Sequence, residues 1–361
     1  MAYYHSAYSN NRKKKSKFGT GFRIFLVLIL LILAGLAYFA YQAIFAPNVW
    51  VPKDKTEFTI YIKPTDKFED LKTQLYANGL IIHRGNFEWW AKQKKFDKHL
   101  KPGMYKLTNG LSNEQLINKL RSGEQEPVRL IFNNIRLKKD LAEKISTLIY
   151  ADSADLLKLL NDSVVAKKYG FTTETFACMF IPNTYYVNWN TSAEKFIDRM
   201  NYEYKQFWTE SRIKKAAEKD LSPIEVSILA SIVEKETQQN SEKARIAGVY
   251  LNRLKKDWRL QADPTLIYAL GDFTIKRVLT EYMNLDSPYN TYKYTGLPPG
   301  PICVPSISSI DAVLNAEEHN YFYFCAKPDY SGFHNFAKNN VEHNINAQSY
   351  RNFLNKERIF K

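Results

Sequence analysis

The chain has 361 residues, enough for two or more domains with their own cores, and 45% hydrophobic against 24% charged residues is the balance of a folded protein. A net charge of +14 suits an anionic polymer as partner, either nucleic acid or an acidic cell-wall glycan. Cys178, Cys303 and Cys325 are too few and too widely spaced for a disulfide framework or a CxxC metal site and read as core residues, and the six histidines form no HExxH pattern. No metal and no cofactor is expected.

Residues 1–23 form a basic tail, with Arg12, Lys13, Lys14, Lys15, Lys17 and Arg23 and no acidic residue, so the rest of the chain carries a net +8. The tail reads as disordered. Residues 24–44 are an uncharged apolar run, about 30 Å long as a helix, which matches a bilayer core. The run is too long for a signal peptide and has no small-residue cleavage site after it. A basic cluster ahead of it places the N-terminus in the cytoplasm and everything after about Ala46 outside. That topology argues against nucleic acid as the partner.

Asn48 to Lys55 reads as a short polar linker. Phe58, Ile60 and Ile62 alternate with polar residues and predict a strand ending at Pro64. Asp66 and Glu69 predict a capped helix through Leu71 and Leu75, stopped at Asn78-Gly79. A second helix carries Phe87, Trp89 and Trp90, and Pro102-Gly103 turns into a strand from Met104 to Leu107. This strand–helix–helix–strand order resembles the LysM module, which binds N-acetylglucosamine-containing glycans. The aromatics could stack on sugars or fill a core. Ser112 and Gln115 form a capping box for a helix ending at Gly123, and Glu124–Pro127 is the predicted domain boundary. Beyond it a strand (Val128–Phe132) and helices (Leu137–Tyr150, Ala154–Leu160, Ala193–Phe207) predict a mixed α+β domain over 127–361.

One long helix is predicted from Ser222 to Lys256, opened by Ser222 as N-cap, Pro223 at the first position and Glu225 reaching back. At helical spacing Leu229, Ile232, Val233 and Glu236 share a stripe, and Glu234 lies opposite with Ser227, Ala230 and Ser231. A carboxyl on an apolar stripe has a raised pKa if buried, as a general acid at neutral pH requires. Alternatively Glu236 is an edge carboxylate bonded to Lys or Arg. After this helix, Gln261-Ala262-Asp263-Pro264-Thr265 sets a carboxylate before a proline, a context that favours extended backbone. Ser287 to Tyr292 and Gly296 to Ile302 are stiff polar turns that could orient a sugar chain. Tyr321–Ala326 predicts a buried strand, and His334, Glu342 and His343 are better suited to structural hydrogen bonding than to a metal.

Four motifs then stand in order: Val233-Glu234-Lys235-Glu236-Thr237, Gln261 to Thr265, Tyr289-Asn290-Thr291-Tyr292, and Gly296-Leu297-Pro298-Pro299-Gly300. With Lys101 to Tyr105, Pro182 to Tyr185, and His334-Asn335-Phe336, the chain resembles the YceG-like family of membrane-anchored endolytic murein transglycosylases over nearly its whole length. The resemblance implies internal cleavage of peptidoglycan strands between N-acetylmuramic acid and N-acetylglucosamine. The muramyl C6 hydroxyl, not water, attacks C1 and leaves a 1,6-anhydromuramyl end, which limits strand length. It implies Glu236 as the single acid/base. Thr237, Gln261, Asp263, Thr265, Tyr289, Asn290 and Thr291 are then the substrate-binding residues, and cell-wall synthases the working partners. It makes 45–126 a LysM-like subdomain and 127–361 the catalytic domain. The chain departs from the family at Ala177 and Cys178, where a Glu-Gly pair is usual, and at Asn183, where Asp is usual. Rival readings are a muramidase-type hydrolase with Asp263 as second carboxylate, a non-catalytic glycan-binding scaffold, and a nucleic-acid binder.

Overall fold

The computed structural model describes residues 19–52, 54–275 and 278–356, so the basic cluster from Arg12 to Lys17 lies outside the described residues. The chain is mixed α+β and divides into two compact units, 1–126 and 127–361. In unit 1, helix α1 (Thr20–Phe45) contains the apolar run and exposes nearly all of it. It is long and apolar enough to cross a membrane.

The rest of unit 1 comprises β1 (Glu57–Ile62), α2 (Phe68–Ala77), α3 (Arg84–Gln93), β2 (Gly103–Thr108) and α4 (Asn113–Ser122). Strands β1 and β2 pair antiparallel with Ile60 opposite Tyr105. The alternation puts Ile60, Ile62, Tyr105 and Leu107 in a core with Leu71, Leu75, Phe87 and Leu116. Two local expectations change. Helix α2 starts one residue later than expected: the Asp70 carboxylate accepts from the Lys67 N–H at 2.8 Å, and Asp66 instead accepts from the Lys63 N–H. The stretch after α1 is not a linker. Pro47 bridges to Ser112 and Val49 to Ile81, and Asn48, Val49 and Val51 are buried. Their backbone groups find partners on both sides, which a free linker would leave to water.

Unit 2 opens with β3 (Pro127–Ile131), α5 (Lys138–Ser146), α6 (Ser153–Leu160), α7 (Ser163–Lys168), β4 (Thr184–Asn188), and α8 (Ala193–Phe207). Strands β3 and β4 pair antiparallel, and these elements enclose a core around Phe132, Phe176, Phe180 and Phe196. Next come α9 (Glu210–Ala217), α10 (Pro223–Glu236), α11 (Asn240–Lys255), α12 (Asp263–Leu270) and α13 (Ile307–Leu314). The hairpin β5 (Tyr323–Ala326) with β6 (His334–Ala337) and helix α14 (Asn340–Lys356) close the unit. Strand β5 is only half-buried, as is Cys325 on it; Cys178 and Cys303 are buried, and all three cysteines are free.

The long helix expected from Ser222 to Lys256 is two helices. Its start is as expected: Glu225 Oε2 accepts from the Ser222 N–H at 2.8 Å and Ser222 Oγ accepts from the Glu225 N–H at 3.3 Å. The break comes at Thr237, which is extended, and its Oγ1 accepts from the Gln239 N–H at 3.0 Å. A hydroxyl that offers the backbone a local partner competes with the helix ladder. Every residue from Val226 to Val233 is buried, so α10 is a core helix with no solvent face. It packs on α11 and α13. Each buried Val, Ile and Leu on it contributes about 1.5–3 kcal/mol at most. Gly248 in α11 marks a close approach: a Cβ there would sit 2.4 Å from the Glu317 carbonyl oxygen.

Candidate active site

Ending α10 at Glu236 brings this carboxyl to the end of a buried rod, beside a cavity of about 350 Å³. Glu236, Tyr250, Arg253, Gln261, Asp263, Tyr292, Tyr323, Phe324 and His343 line that cavity. Tyr250 and Arg253 are three apart on α11, hence on one side of it. The Tyr250 hydroxyl donates to Glu236 Oε1 at 2.5 Å. Burial raises the Glu236 pKa to about 7; the Tyr250 hydrogen bond and Arg253 pull it down, and Asp263 pushes it up. The C-terminal helix end, with its partial negative charge, disfavours the ionised form as well. Tyr250 is itself buried, and desolvation beside a carboxylate holds its phenol well above the usual range, so it remains a donor.

Arg253 supplies positive charge from a fixed position. Its Nε donates to the Phe322 carbonyl at 2.7 Å and its Nη1 to the Leu260 carbonyl at 2.5 Å, while its guanidinium lies over the Tyr323 ring. Tyr292 donates to Asp263 Oδ1. Asp263 is not extended; it is the first residue of α12, with Pro264 behind it in the first turn, where a proline needs no partner for an N–H. Gln261 has a left-handed φ of +49° and its N–H donates to the Thr291 carbonyl at 3.0 Å. His343 stacks on Tyr323, and burial, with Arg253 and Arg351 nearby, lowers its pKa, so it is neutral at pH 7.

The expected substrate-binding residues fall into separate places. Gln261 and Asp263 share the cavity with Glu236. Thr265 and Thr291 are buried, with hydroxyls 2.8 Å apart, and Thr291 Oγ1 accepts from the Ala262 N–H at 3.0 Å. The side-chain amide of Asn290, also buried, donates to the carbonyls of Met283 and Leu285. These three brace the two segments that carry Gln261 and Tyr292, one on either side of α12 in the chain. Tyr289 packs against Tyr268 with ring centroids 4.8 Å apart and the rings tilted by 48°, and Thr237 is buried at the helix break. Sequence reasoning missed Tyr250, Arg253, Tyr323, Phe324 and His343 as cavity residues, and from the Tyr289 to Tyr292 motif it chose the first three residues where the cavity takes the fourth, Tyr292. The available signal was a Tyr and an Arg three apart, on the face of α11 that a tyrosine would bury.

Glu234, two residues from Glu236, has the opposite surroundings. Its Oε2 accepts from Ser306 Oγ at 2.5 Å, from Ser309 Oγ, and from Lys243 Nζ at 3.1 Å. Burial alone would raise its pKa, but those hydrogen bonds and the Lys243 charge outweigh burial and hold it below the usual value. His334, paired in the sequence reading with His343, is engaged elsewhere: Glu242 accepts from its backbone N–H at 3.0 Å and lies 3.0 Å from its ring Nδ1. A larger cleft of about 710 Å³ runs along the start of α10, but its Glu225 is committed to the capping box.

The profile of the YceG-like family matches residues 60–349. The chain belongs to the YceG-like family. A Bacillus subtilis protein named endolytic murein transglycosylase is 30% identical over 320 residues, covering 83% of this chain and 87% of the relative. A Streptococcus pneumoniae protein of the same name is 28% identical over 368 residues, covering 91% of this chain; the chain spans 64% of that relative's length. The crystal structure of a YceG-like protein from Listeria monocytogenes is similar with a TM-score of 0.52 and 30% identity, over 81% of this chain and 99% of that one.

Proposed function

We propose that this YceG-like chain is an endolytic lytic transglycosylase that cuts peptidoglycan strands between N-acetylmuramic acid and N-acetylglucosamine. The observation that carries the reading is the carboxyl of Glu236 at the end of a core helix, facing a cavity, with one oxygen held by Tyr250 and a pKa near 7; Asp263, in the same cavity, is engaged by the Tyr292 hydroxyl. Protonated Glu236 gives its proton to the bridging oxygen as the bond from that oxygen to the muramyl C1 breaks. The carboxylate left behind takes the C6 hydroxyl proton as O6 bonds to C1. The proton returns to Glu236, no water is consumed, and the product ends in 1,6-anhydromuramic acid. A group that acts first as acid and then as base works best with a pKa near the ambient pH. Arg253, neutral His343, Gln261 and Asp263 supply donors and acceptors to hold the sugars, and Tyr323 and Phe324 supply apolar faces for them.

The relatives' names support the reading, as does the order of motifs around Glu236. On the same reading α1 is a single-pass anchor in the cytoplasmic membrane with its N-terminus inside, and unit 2 works on nascent strands outside, beside the synthases. Residues 45–126 serve as the LysM-like subdomain. Digestion of purified glycan strands with the full chain, with products weighed by mass spectrometry, tests the proposal. Anhydromuramyl ends are expected; reducing muramyl ends point instead to a hydrolase using Asp263, and uncut strands to a binding scaffold.

A further inference from the structure

The join between α1 and the rest of unit 1 is built, not tethered. Asn113, at the start of α4, donates from its side-chain amide to the Ala43 carbonyl at 2.7 Å, capping an end of α1 that would otherwise lack a partner. Asn48 donates to Asn113 Oδ1 at 2.7 Å, and its own Oδ1 accepts from the His83 N–H at 2.6 Å. Both asparagines are buried, so this relay fixes α1, α4 and the start of α3 to one another. Ala40 and Ile44 are half-buried and Ala43 is buried, whereas the rest of the apolar run is exposed. Unit 1 therefore covers one face of the last turn of the apolar run itself, with α3 and α4 against α1.

A bilayer's headgroup layer is only about 5–8 Å deep on each side of its hydrocarbon core. Four helical residues rise about 6 Å. With the apolar run in the hydrocarbon, Ala40 to Ile44 lie at its outer edge, so the surfaces that touch them lie at the boundary between hydrocarbon and headgroups. Large apolar side chains stand exposed around the same join: Trp50 at 41%, Ile82 at 51% and Trp89 at 41% of their full accessible area. Each lies within a few residues or contacts of the relay. The Trp50 N–H donates to the Leu80 carbonyl, the Ile82 N–H donates to the Asn48 carbonyl, and Trp89 packs beside Trp90, whose Nε1 donates to Glu114 next to Asn113. Lys92 follows Trp89 by nearly one turn on the exposed side of α3. Tryptophans beside a lysine at a helix exit are the composition that lipid headgroup layers favour.

We propose that Trp50, Ile82, Trp89 and Lys92 form a lipid-contacting face that seats unit 1 on the membrane surface as a rigid extension of α1. The inference rests on the reading of α1 as a membrane span. Its test puts the full chain into phosphatidylcholine–phosphatidylglycerol vesicles brominated on the acyl carbons nearest the headgroup, which quench nearby tryptophans. The chain should float with the vesicles and be quenched, and the double variant Trp50→Phe/Trp89→Phe should lose most of that quenching. A chain that does not float overturns the span and this face with it. A chain that floats but keeps its quenching in the double variant, or shows none, overturns the face alone. Emission from Trp50 and Trp89 that responds to N-acetylglucosamine oligomers and not to brominated lipid assigns the face to glycan instead.

Discussion

The Tyr250 hydroxyl sits 2.5 Å from Glu236 Oε1, fourteen residues away in the chain and across the break between α10 and α11. This contact decides how an acid in a desolvated setting keeps a pKa near 7 and not higher. Burial works to neutralise the carboxyl, and a neutral phenol that donates to the charged form works against it. It also leaves the second carboxyl oxygen for the substrate.

Replacing Tyr250 with Phe should change the pH profile as well as the rate. Activity carried by protonated Glu236 falls as the pH rises through about 7. Without the hydrogen bond the acid ionises later, so this falling limb should move up by about one unit or more. The maximal rate should drop ~10–100-fold because the carboxyl loses its orientation. Rates of anhydromuramyl release from pH 5 to 9 check both effects; an unmoved limb would remove Tyr250 from the account.

Glu236→Gln should abolish the anhydromuramyl product while the chain stays folded. It should also stabilise the protein in a pH-dependent way. Between its ordinary value of 4.5 and about 7, Glu236 holds a proton in the folded chain that it has lost in the unfolded one. Folding therefore binds a proton in this window, and stability is lost as the pH rises through it. The variant avoids that loss, so its gain should be near zero at pH 4 and up to about 3 kcal/mol at pH 8. Thermal melts at the two pH values report the difference.

Glu234 and Lys243 should behave as structural residues. Glu234→Ala leaves the Lys243 ammonium, 6% exposed, without its carboxylate partner. A loss of about 2–4 kcal/mol in urea melts is expected, with much activity retained below the melting temperature. Glu234→Gln, which keeps an oxygen for Ser306 and Ser309, should cost less on both counts.

Asp263→Asn separates the lytic from the hydrolytic route. If Glu236 acts alone, the variant still releases anhydromuramyl ends, more slowly because the Tyr292 contact is weakened. Loss of all cleavage together with reducing ends in the parent would instead make Asp263 a catalytic partner.

Gly248→Ala should destabilise unit 2 although alanine is the better helix former. The gain of up to about 1 kcal/mol in helix propensity is outweighed by overpacking, which costs about 1–3 kcal/mol. The obstacle is the backbone oxygen of Glu317, 2.4 Å from the added carbon, which cannot rotate away. A lowered Tm checks this.

Local chemistry was readable where it is set by neighbours in the chain. The start of α10 at Ser222, Pro223 and Glu225 depends on groups within one turn, and the span of α8 follows its own periodicity. The placement of Glu236 on the stripe of Leu229, Ile232 and Val233 needed only the pitch of a helix. The break at Thr237 was not readable: the residues there permit a helix, and the side-chain bond to Gln239 is too local a competitor to decide the outcome without packing. The asparagines that weld α1 to unit 1 were read as linker and helix start, because their partners lie as far as 70 residues apart.

The sequence by itself determined that one glutamate follows Leu229, Ile232 and Val233 on one stripe, that a long apolar helix opens a mixed α+β chain, and which family the order of motifs points to. Only the tertiary structure decided what each carboxyl experiences. Glu234 and Glu236 are the same residue type two positions apart on different faces, but α10 is buried on every face from Val226 to Val233, so the face alone does not set their acidity. Lys243, Ser306 and Ser309 hold one as an anion, whereas burial against Tyr250 keeps the other near neutrality. Those partners arrive from distant segments, and desolvation and hydrogen bonding depend on what surrounds a group in space.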